Sequence, residues 1–124
     1  MSKKILVVDD DQDLLTFMTT LLEDNGYSTI TALNGKECYE KAIKDNPDLI
    51  TLDMTMPEQS GVRTYRDLKD HENLKKIPVI VVTAIGENME TFLSKRRQIP
   101  RPEGFMTKPV DQEKLIELIR NLVS

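Results

Sequence analysis

Residues 5–15 read ILVVDDDQDLL, four apolar residues followed directly by a run of acids. A short apolar run of this kind is typical of a strand that is buried on both faces, as in a parallel sheet. Asp9, Asp10 and Asp11 stand where that strand ends, and like charges this close repel one another and resist burial. The cluster therefore indicates either a site for a positively charged ligand or the polar beginning of a helix.

The rest of the chain repeats this alternation between apolar runs and segments with helical periodicity. Strands are predicted over 4–9, 28–32, 48–53, 77–84 and 104–107, and helices over 12–26, 35–47, 62–71, 86–97 and 110–123. Five strands that alternate with five helices form a parallel sheet covered by helices on both faces. The predicted fold class is therefore α/β, a doubly wound (βα)5 architecture.

The composition excludes several classes of protein. The 124 residues are 39% hydrophobic and 31% charged, which suits one globular domain with a proper core. A net charge of −4 provides no basic surface for nucleic acid or anionic membranes. The apolar runs are too short to span a bilayer, and the N-terminus has no signal-peptide pattern. The single cysteine, Cys38, cannot form an internal disulfide, which favours the cytoplasm.

Five polar residues stand at the predicted carboxyl ends of strands. Asp9 and Asp10 end the first strand, Asp53 the third, Thr83 the fourth and Lys108 the fifth. Ligands of open parallel sheets bind outside these ends, where the strand order reverses. Clustered carboxylates suit Mg²⁺, and a carboxylate can also act as a nucleophile toward a phosphoryl group. A lysine and a hydroxyl have the chemistry to neutralise charge on phosphoryl oxygens.

Four motifs at these strand ends resemble those of the receiver domains of response regulators in two-component signalling. They are VVDD at 7–10, DMTMPEQSG at 53–61, VVTA at 81–84 and FMTKP at 105–109, in order and at near-family spacing. The resemblance covers essentially the whole chain, residues 1–124. It implies a flavodoxin-like fold whose five-stranded sheet has the order 2-1-3-4-5.

The resemblance also implies a role for each matching residue. Asp53 would be the phosphoacceptor, and Mg²⁺, with Mn²⁺ as a possible substitute, would be bound directly by Asp10 and Asp53 and through water by Asp9. Thr55 would offer a backbone carbonyl to the ion, and Lys108 would pair with the phosphoryl group. Thr83 would be the switch hydroxyl and Phe105 the switch ring. The peptide bond before Pro109 would be cis, and Thr55 and Ile85 would tune dephosphorylation. Ile85 cannot orient a water molecule, so slow self-hydrolysis is expected. Phe105 has no hydroxyl to satisfy, so an inward position populated without phosphate is expected.

The implied function is that of a signalling switch rather than an enzyme. A sensor histidine kinase or a histidine phosphotransfer protein would donate the phosphoryl group. An unknown downstream protein would read the surface formed by the helix at 86–97, the strand at 104–107 and the helix at 110–123. The protein would be a cytoplasmic monomer or a phosphorylation-dependent dimer, without nucleic acid or membrane partners. The opening MSKK resembles a natural start, which favours a stand-alone regulator over an excised domain.

Two rival functions remain open for the same residues. A receiver-like scaffold would act without phosphorylation, although such proteins usually lack the acceptor or metal acids. A phosphatase with an aspartate nucleophile usually needs an acid two residues later, where this chain has Thr55. Asp11 and Asp13 fit a helix cap and a first-turn acid, but the acids that end two different strands need another reason. His71, in a polar helix end, is interpreted as an exposed bystander.

Overall fold

The structure, a computed structural model, describes residues 2–54, 60–83 and 101–123. Within these ranges it has five strands and four helices. The strands are β1 (Lys4–Val8), β2 (Ser28–Ala32), β3 (Leu49–Asp53), β4 (Val79–Thr83) and β5 (Gly104–Thr107), and the helices are α1 (Gln12–Asp24), α2 (Gly35–Asp45), α3 (Ser60–Asp70) and the C-terminal helix α4 (Gln112–Val123). The helix predicted over 86–97 lies outside the described residues. None of the described helices is long and apolar enough to cross a membrane.

The five strands form one parallel sheet in the order β2-β1-β3-β4-β5. The first strand lies inside the sheet, β2 pairs with one side of it, and β3 pairs with the other. The strand order therefore reverses between β1 and β3, which makes their carboxyl ends the switch point where ligands bind in such folds. The fold class and strand order predicted from the sequence are confirmed.

Two hydrophobic cores lie on opposite faces of the sheet. Successive side chains of a strand point to opposite faces, so each apolar strand supplies both cores. One core joins the sheet to α2 and α3 and includes Leu6, Leu52, Ala42, Tyr65 and Leu68. The other joins the sheet to α1 and α4 and includes Val7, Val82, Leu15, Leu115 and Ile119. All residues of β3 and β4 are buried, which explains why these runs lack the alternation of a half-exposed strand.

Helix boundaries follow the caps expected from the sequence. The side chains of Asp11, Asn34 and Asp111 each accept a backbone N–H from the first turn of the following helix. Gly26, just after α1, has φ of 89°, and Asn46, just after α2, has φ of 47°. Both residues tolerate this left-handed conformation, which ends a helix.

Several predicted boundaries are off by one or two residues. The helix predicted over 62–71 begins at Ser60, and the last helix begins at Gln112 rather than at 110 because Asp111 is its cap. The strand predicted over 77–84 begins at Val79, since Pro78 has no N–H for the ladder.

The expectation for His71 is wrong in its exposure. His71 is half-buried, and its Nδ1 accepts the backbone N–H groups of Asn73 at 3.1 Å and Leu74 at 3.3 Å. Its ring also meets the Tyr39 ring edge-on, with 6.0 Å between centroids. The histidine thus shapes the connection from α3 to β4, and a polar sequence neighbourhood does not reveal this.

Candidate functional site

The sheet brings the predicted site residues to one edge. Asp53 is the last residue of β3, Thr83 is the last of β4, and Lys108 directly follows β5. Backbone hydrogen bonds extend past the strands here, from Met54 N to Val82 O at 2.8 Å and from Lys108 N to Thr83 O at 2.8 Å. The backbone of each site residue is therefore fixed by its neighbouring strand.

Three carboxylates face one another at this edge. Ligand oxygens of Asp9, Asp10 and Asp53 all lie within 4.8 Å of one another. Asp9 and Asp53 are buried, with 4% and 1% of their surface exposed, whereas Asp10 is exposed. A site of this kind offers oxygen ligands on a buried floor and stays open to solvent on one side. These are the ligands that Mg²⁺ takes while it keeps part of its water shell.

Lys108 supplies the positive charge of the site. Its Nζ lies 3.2 Å from Asp53 Oδ2 and 3.5 Å from Asp9 Oδ2. Partial burial disfavours the charged ammonium, but the charges of Asp53 and Asp9 outweigh this and raise the pKa of Lys108 above its usual value. The lysine is therefore firmly protonated next to the carboxylate that the sequence pattern indicates as the phosphoacceptor.

Asp9 carries its charge against an unfavourable environment. Burial raises the pKa of its carboxyl from 3.8 to about 6, and the neighbouring Asp53 adds to that rise. The Asp11 N–H, which donates to Asp9 Oδ1 at 2.9 Å, and the Lys108 ammonium act in the opposite direction. Burial, with the repulsion from Asp53, outweighs these two stabilising contacts, so a bound cation would stabilise the charged form of Asp9.

Thr83 offers an unused hydroxyl. Its Oγ1 is buried and has no hydrogen-bond partner among the residues that the structure describes. A buried polar group without a partner costs about 1–3 kcal/mol, so native proteins keep few of them. A hydroxyl in this state at the edge that holds Asp53 is suited to an incoming acceptor oxygen.

Phe105 and Pro109 complete the predicted set on β5 and just after it. The Lys108–Pro109 peptide bond is cis, as predicted. Phe105 is 40% exposed, so the structure holds its ring outward rather than in the inward position expected without phosphate. That an inward population also exists stays a prediction.

Gly61 contributes to the site in a way that the sequence pattern does not reveal. A Cβ on this residue, in the first turn of α3, would lie 2.7 Å from Met54 Cα and 2.8 Å from Asp53 O. Only glycine lets the helix approach the backbone at the end of β3 this closely. The residue ends the motif at 53–61, but that motif does not show why glycine is required there.

Two predicted residues cannot be placed. Thr55, expected to offer a backbone carbonyl and to tune dephosphorylation, and Ile85, expected to tune dephosphorylation, lie outside the described residues.

Comparison with known proteins decides the family. The sequence profile of the response regulator receiver domain matches residues 5–120. The chain belongs to this family. Receiver domains are signalling domains of two-component systems, they interact with sensor kinases or other signalling proteins, and they bind Mg²⁺ at an acidic pocket. This chain has a cluster of three acids, Asp9, Asp10 and Asp53.

Relatives extend over nearly the whole receiver domain. It is 34% identical over 121 residues to the polar-differentiation response regulator DivK of Brucella ovis, a match that covers 98% of this chain and 96% of the relative. A solved receiver domain of a signal transduction histidine kinase from Syntrophus aciditrophicus is 30% identical, with a TM-score of 0.86 over 98% of this chain and 90% of that one. Chemotaxis protein CheY4 of Vibrio cholerae, at 24% identity, shares the fold with a TM-score of 0.85 over 98% and 99% of the two chains.

Proposed function

We propose that residues 1–124 form one receiver domain that accepts a phosphoryl group on Asp53 from a sensor histidine kinase or a histidine phosphotransfer protein. The observation that carries the proposal is the arrangement around Asp53. This buried carboxylate has an ammonium at 3.2 Å, and the unpartnered hydroxyl of Thr83 lies at the same strand edge. A nucleophile, a cation and a hydrogen-bond donor are what phosphoryl transfer to a carboxylate requires.

The proposed step balances without a further reactant. A carboxylate oxygen of Asp53 forms a bond to phosphorus while the bond between phosphorus and the donor histidine nitrogen breaks. The electron pair of that bond stays on the imidazole, which takes a proton from solvent. Lys108 then pairs with the phosphoryl oxygens, and the Thr83 hydroxyl donates a hydrogen bond to one of them.

The acids fit a divalent cation. Asp10 and Asp53 would hold Mg²⁺ directly, Asp9 would hold it through water, and the backbone carbonyl of Thr55 would complete the protein ligands, with Mn²⁺ as a substitute. When bound, the ion supplies positive charge where the phosphoryl oxygens gather negative charge. The fit is supported by the 4.8 Å spread of the ligand oxygens and by the raised pKa of Asp9.

The proposed output passes through β5. Thr83 pairs in register with Thr107, two residues after the exposed Phe105. A movement of the Thr83 hydroxyl toward phosphate would therefore change the surroundings of β5 close to the Phe105 ring. A downstream protein in the cytoplasm would read the surface made by β5, the C-terminal helix α4 and the predicted helix at 86–97. The domain would act there as a monomer or as a phosphorylation-dependent dimer.

Intact-protein mass spectrometry tests the proposal. The chain is incubated with acetyl phosphate and Mg²⁺ and compared with an EDTA control and with Asp53→Asn. A matched control, Asp13→Asn, removes an acid of the same run that belongs to the first turn of α1. We expect a gain of one phosphoryl group in the wild type and in Asp13→Asn, and none with EDTA or in Asp53→Asn. A gain that persists in Asp53→Asn contradicts the assignment of the acceptor.

A further inference from the structure

An ion pair between a buried lysine and a glutamate whose side chain is 36% exposed lies at the opposite end of the sheet from Asp53. Lys69, near the end of α3, has a side chain that is only 3% exposed, and its Nζ lies 3.1 Å from Glu103 Oε1 and 3.2 Å from Oε2. The same ammonium donates to the backbone carbonyls of Lys75 at 3.4 Å and Ile77 at 3.3 Å. Lys69 therefore joins α3, the connection to β4 and the residue that precedes β5.

Glu103 is also bonded to the sheet itself. Its Oε1 accepts the backbone N–H of Val79, the first residue of β4, at 2.7 Å. Gly104 follows at once as the first residue of β5, where a Cβ would lie 2.7 Å from Leu118 Cδ2 of α4. The beginning of β5 is thus held by a carboxylate on one side and by a close approach of the C-terminal helix on the other.

The length of β5 makes its two ends dependent on each other. The strand has four residues, and within the described ranges it pairs only with β4. Lys108 follows Glu103 by five residues, roughly 16 Å of extended chain. An edge strand this short has few ladder bonds of its own, so its position along β4 depends on how its ends are held.

We infer that the Lys69–Glu103 ion pair is a positioning device, which fixes β5 along β4 and thereby holds Lys108 against Asp53. The inference rests on the proposed phosphorylation of Asp53, because it assigns the ion pair a role in that reaction. Neither residue touches the reacting atoms; both act through β5 and Lys108. No pattern in the sequence pairs Lys69 with a glutamate 34 positions away.

Three variants separate positioning from stability. Glu103→Gln leaves the buried Lys69 ammonium without its counter-charge, which destabilises a protein strongly. Lys69→Met leaves the 36% exposed Glu103 carboxylate in contact with solvent and should cost less. The double variant removes both charges, and such replacements often restore stability. If the pair only stabilises the fold, the double variant recovers phosphorylation together with stability. If the pair positions Lys108, the double variant recovers stability and phosphorylation stays slow.

The first measurement is the rate of phosphorylation by acetyl phosphate at saturating Mg²⁺, with Mg²⁺ affinity measured by calorimetry in parallel. We expect the rate to fall about tenfold in the double variant, since small displacements of a catalytic group have large effects. The Mg²⁺ affinity should stay within about twofold, because the acids of the site lie at the ends of β1 and β3 rather than on β5. In a Lys108→Met background the double substitution should change the rate by less than about twofold.

Leu74→Ala provides the control for stability, since it removes a buried apolar side chain from the α3–β4 connection without changing charge. We expect it to be phosphorylated at the wild-type rate under conditions where it remains folded. An equal loss of rate in Leu74→Ala and in the double variant, at equal stability, would overturn the inference. So would a wild-type rate in the double variant.

A second measurement does not depend on phosphorylation. The Lys108 amide, which donates to Thr83 O, should exchange its hydrogen at least about tenfold faster in the double variant, while the Cys38 amide in α2, which donates to Asn34 O, stays protected. Unchanged exchange at Lys108 refutes the positioning role even if acetyl phosphate modifies no form of the protein. If the wild type is not phosphorylated but the Lys108 amide exchanges faster in the double variant, the result counts against the proposed function. It would still support the link between the Lys69–Glu103 ion pair and the position of Lys108.

Discussion

Replacing Asp9 by asparagine should stabilise the metal-free protein at neutral pH while weakening its Mg²⁺ site. Burial raises the pKa of the Asp9 carboxyl from 3.8 to about 6. A rise of about two units corresponds to about 3 kcal/mol of destabilisation from keeping the folded carboxylate charged. Asparagine avoids this penalty, and its carbonyl oxygen can still accept the Asp11 N–H.

The gain should be smaller than that upper value. The pKa of about 6 already includes the attraction of the Lys108 ammonium. If the asparagine carbonyl accepts the Asp11 N–H, however, its amide NH2 group takes the place of Asp9 Oδ2 and faces that ammonium, a donor against a donor, which costs part of the gain. We therefore expect Asp9→Asn to raise the free energy of unfolding by about 1–3 kcal/mol at pH 7.5. Asp67→Asn makes the same chemical change on the exposed side of α3 and should stay within about 0.5 kcal/mol of the wild type.

The gain should also depend on pH in a defined direction. Between pH 3.8 and about 6 the folded state binds more protons at Asp9 than the unfolded state does. The contribution of Asp9 to stability therefore falls as the pH rises through this window, and the penalty is fully present above it. Consequently, the advantage of Asp9→Asn should be largest above pH 7 and should shrink toward pH 4.

Urea unfolding followed by circular dichroism, in EDTA at pH 7.5 and pH 4.5, measures both expectations. Addition of Mg²⁺ should stabilise the wild type more than Asp9→Asn, since a ligand stabilises the state that binds it. A variant that is no more stable than the wild type at pH 7.5, or whose advantage persists unchanged at pH 4.5, would refute the reasoning about Asp9.

Three further outcomes follow from individual residues. Gly61→Ala places a Cβ 2.8 Å from Asp53 O, so it should destabilise the fold by about 1–3 kcal/mol and slow phosphorylation. Gly26→Ala is strained only by its φ of 89° and should affect stability alone. Equal phosphorylation rates in the two variants would contradict this expectation. Burial raises the pKa of the Cys38 thiol to about 12, so a disulfide reagent at pH 8 should modify the folded protein roughly a thousandfold more slowly than the urea-unfolded protein, and comparable rates would disprove it. Phosphorylated wild type should lose its phosphoryl group more slowly than Ile85→Glu in a mass-spectrometric time course, and faster loss in the wild type would disprove the assigned effect of Ile85.

The sheet was predictable because its central strands are unusual in sequence. Continuous apolar runs such as those at 5–8 and 79–82 fit a strand buried on both faces, and Asp11 and Asn34, which follow the first two strands, are residues of the kind that begin helices. Those caps placed most element ends within two residues of the observed positions. Local signals were sufficient here because the contacts that make a strand end or a helix begin are themselves local.

The candidate site was predictable in its members, since parallel strands carry their carboxyl ends to one edge and that topology brings Asp9, Asp53 and Thr83 together. The half-buried His71 was not predictable, because its cover is the Tyr39 ring from another helix. The Lys69–Glu103 ion pair was not predictable for the same reason. A lysine among polar helix neighbours is exposed by default, and only the packing of α3 beside the residue before β5 buries it.

The charge balance at the strand edge gives a physical reason for placing three acids around one lysine. Ionised, the carboxylates of Asp9, Asp10 and Asp53 carry three negative charges against the single positive charge of Lys108, so two negative charges remain. A second lysine would offset only one of these charges and would occupy the space that an incoming phosphoryl group needs. A divalent cation neutralises both and can leave coordination positions free. The residual charge and the unpartnered Thr83 hydroxyl are therefore consistent with a site whose partners arrive from outside the chain.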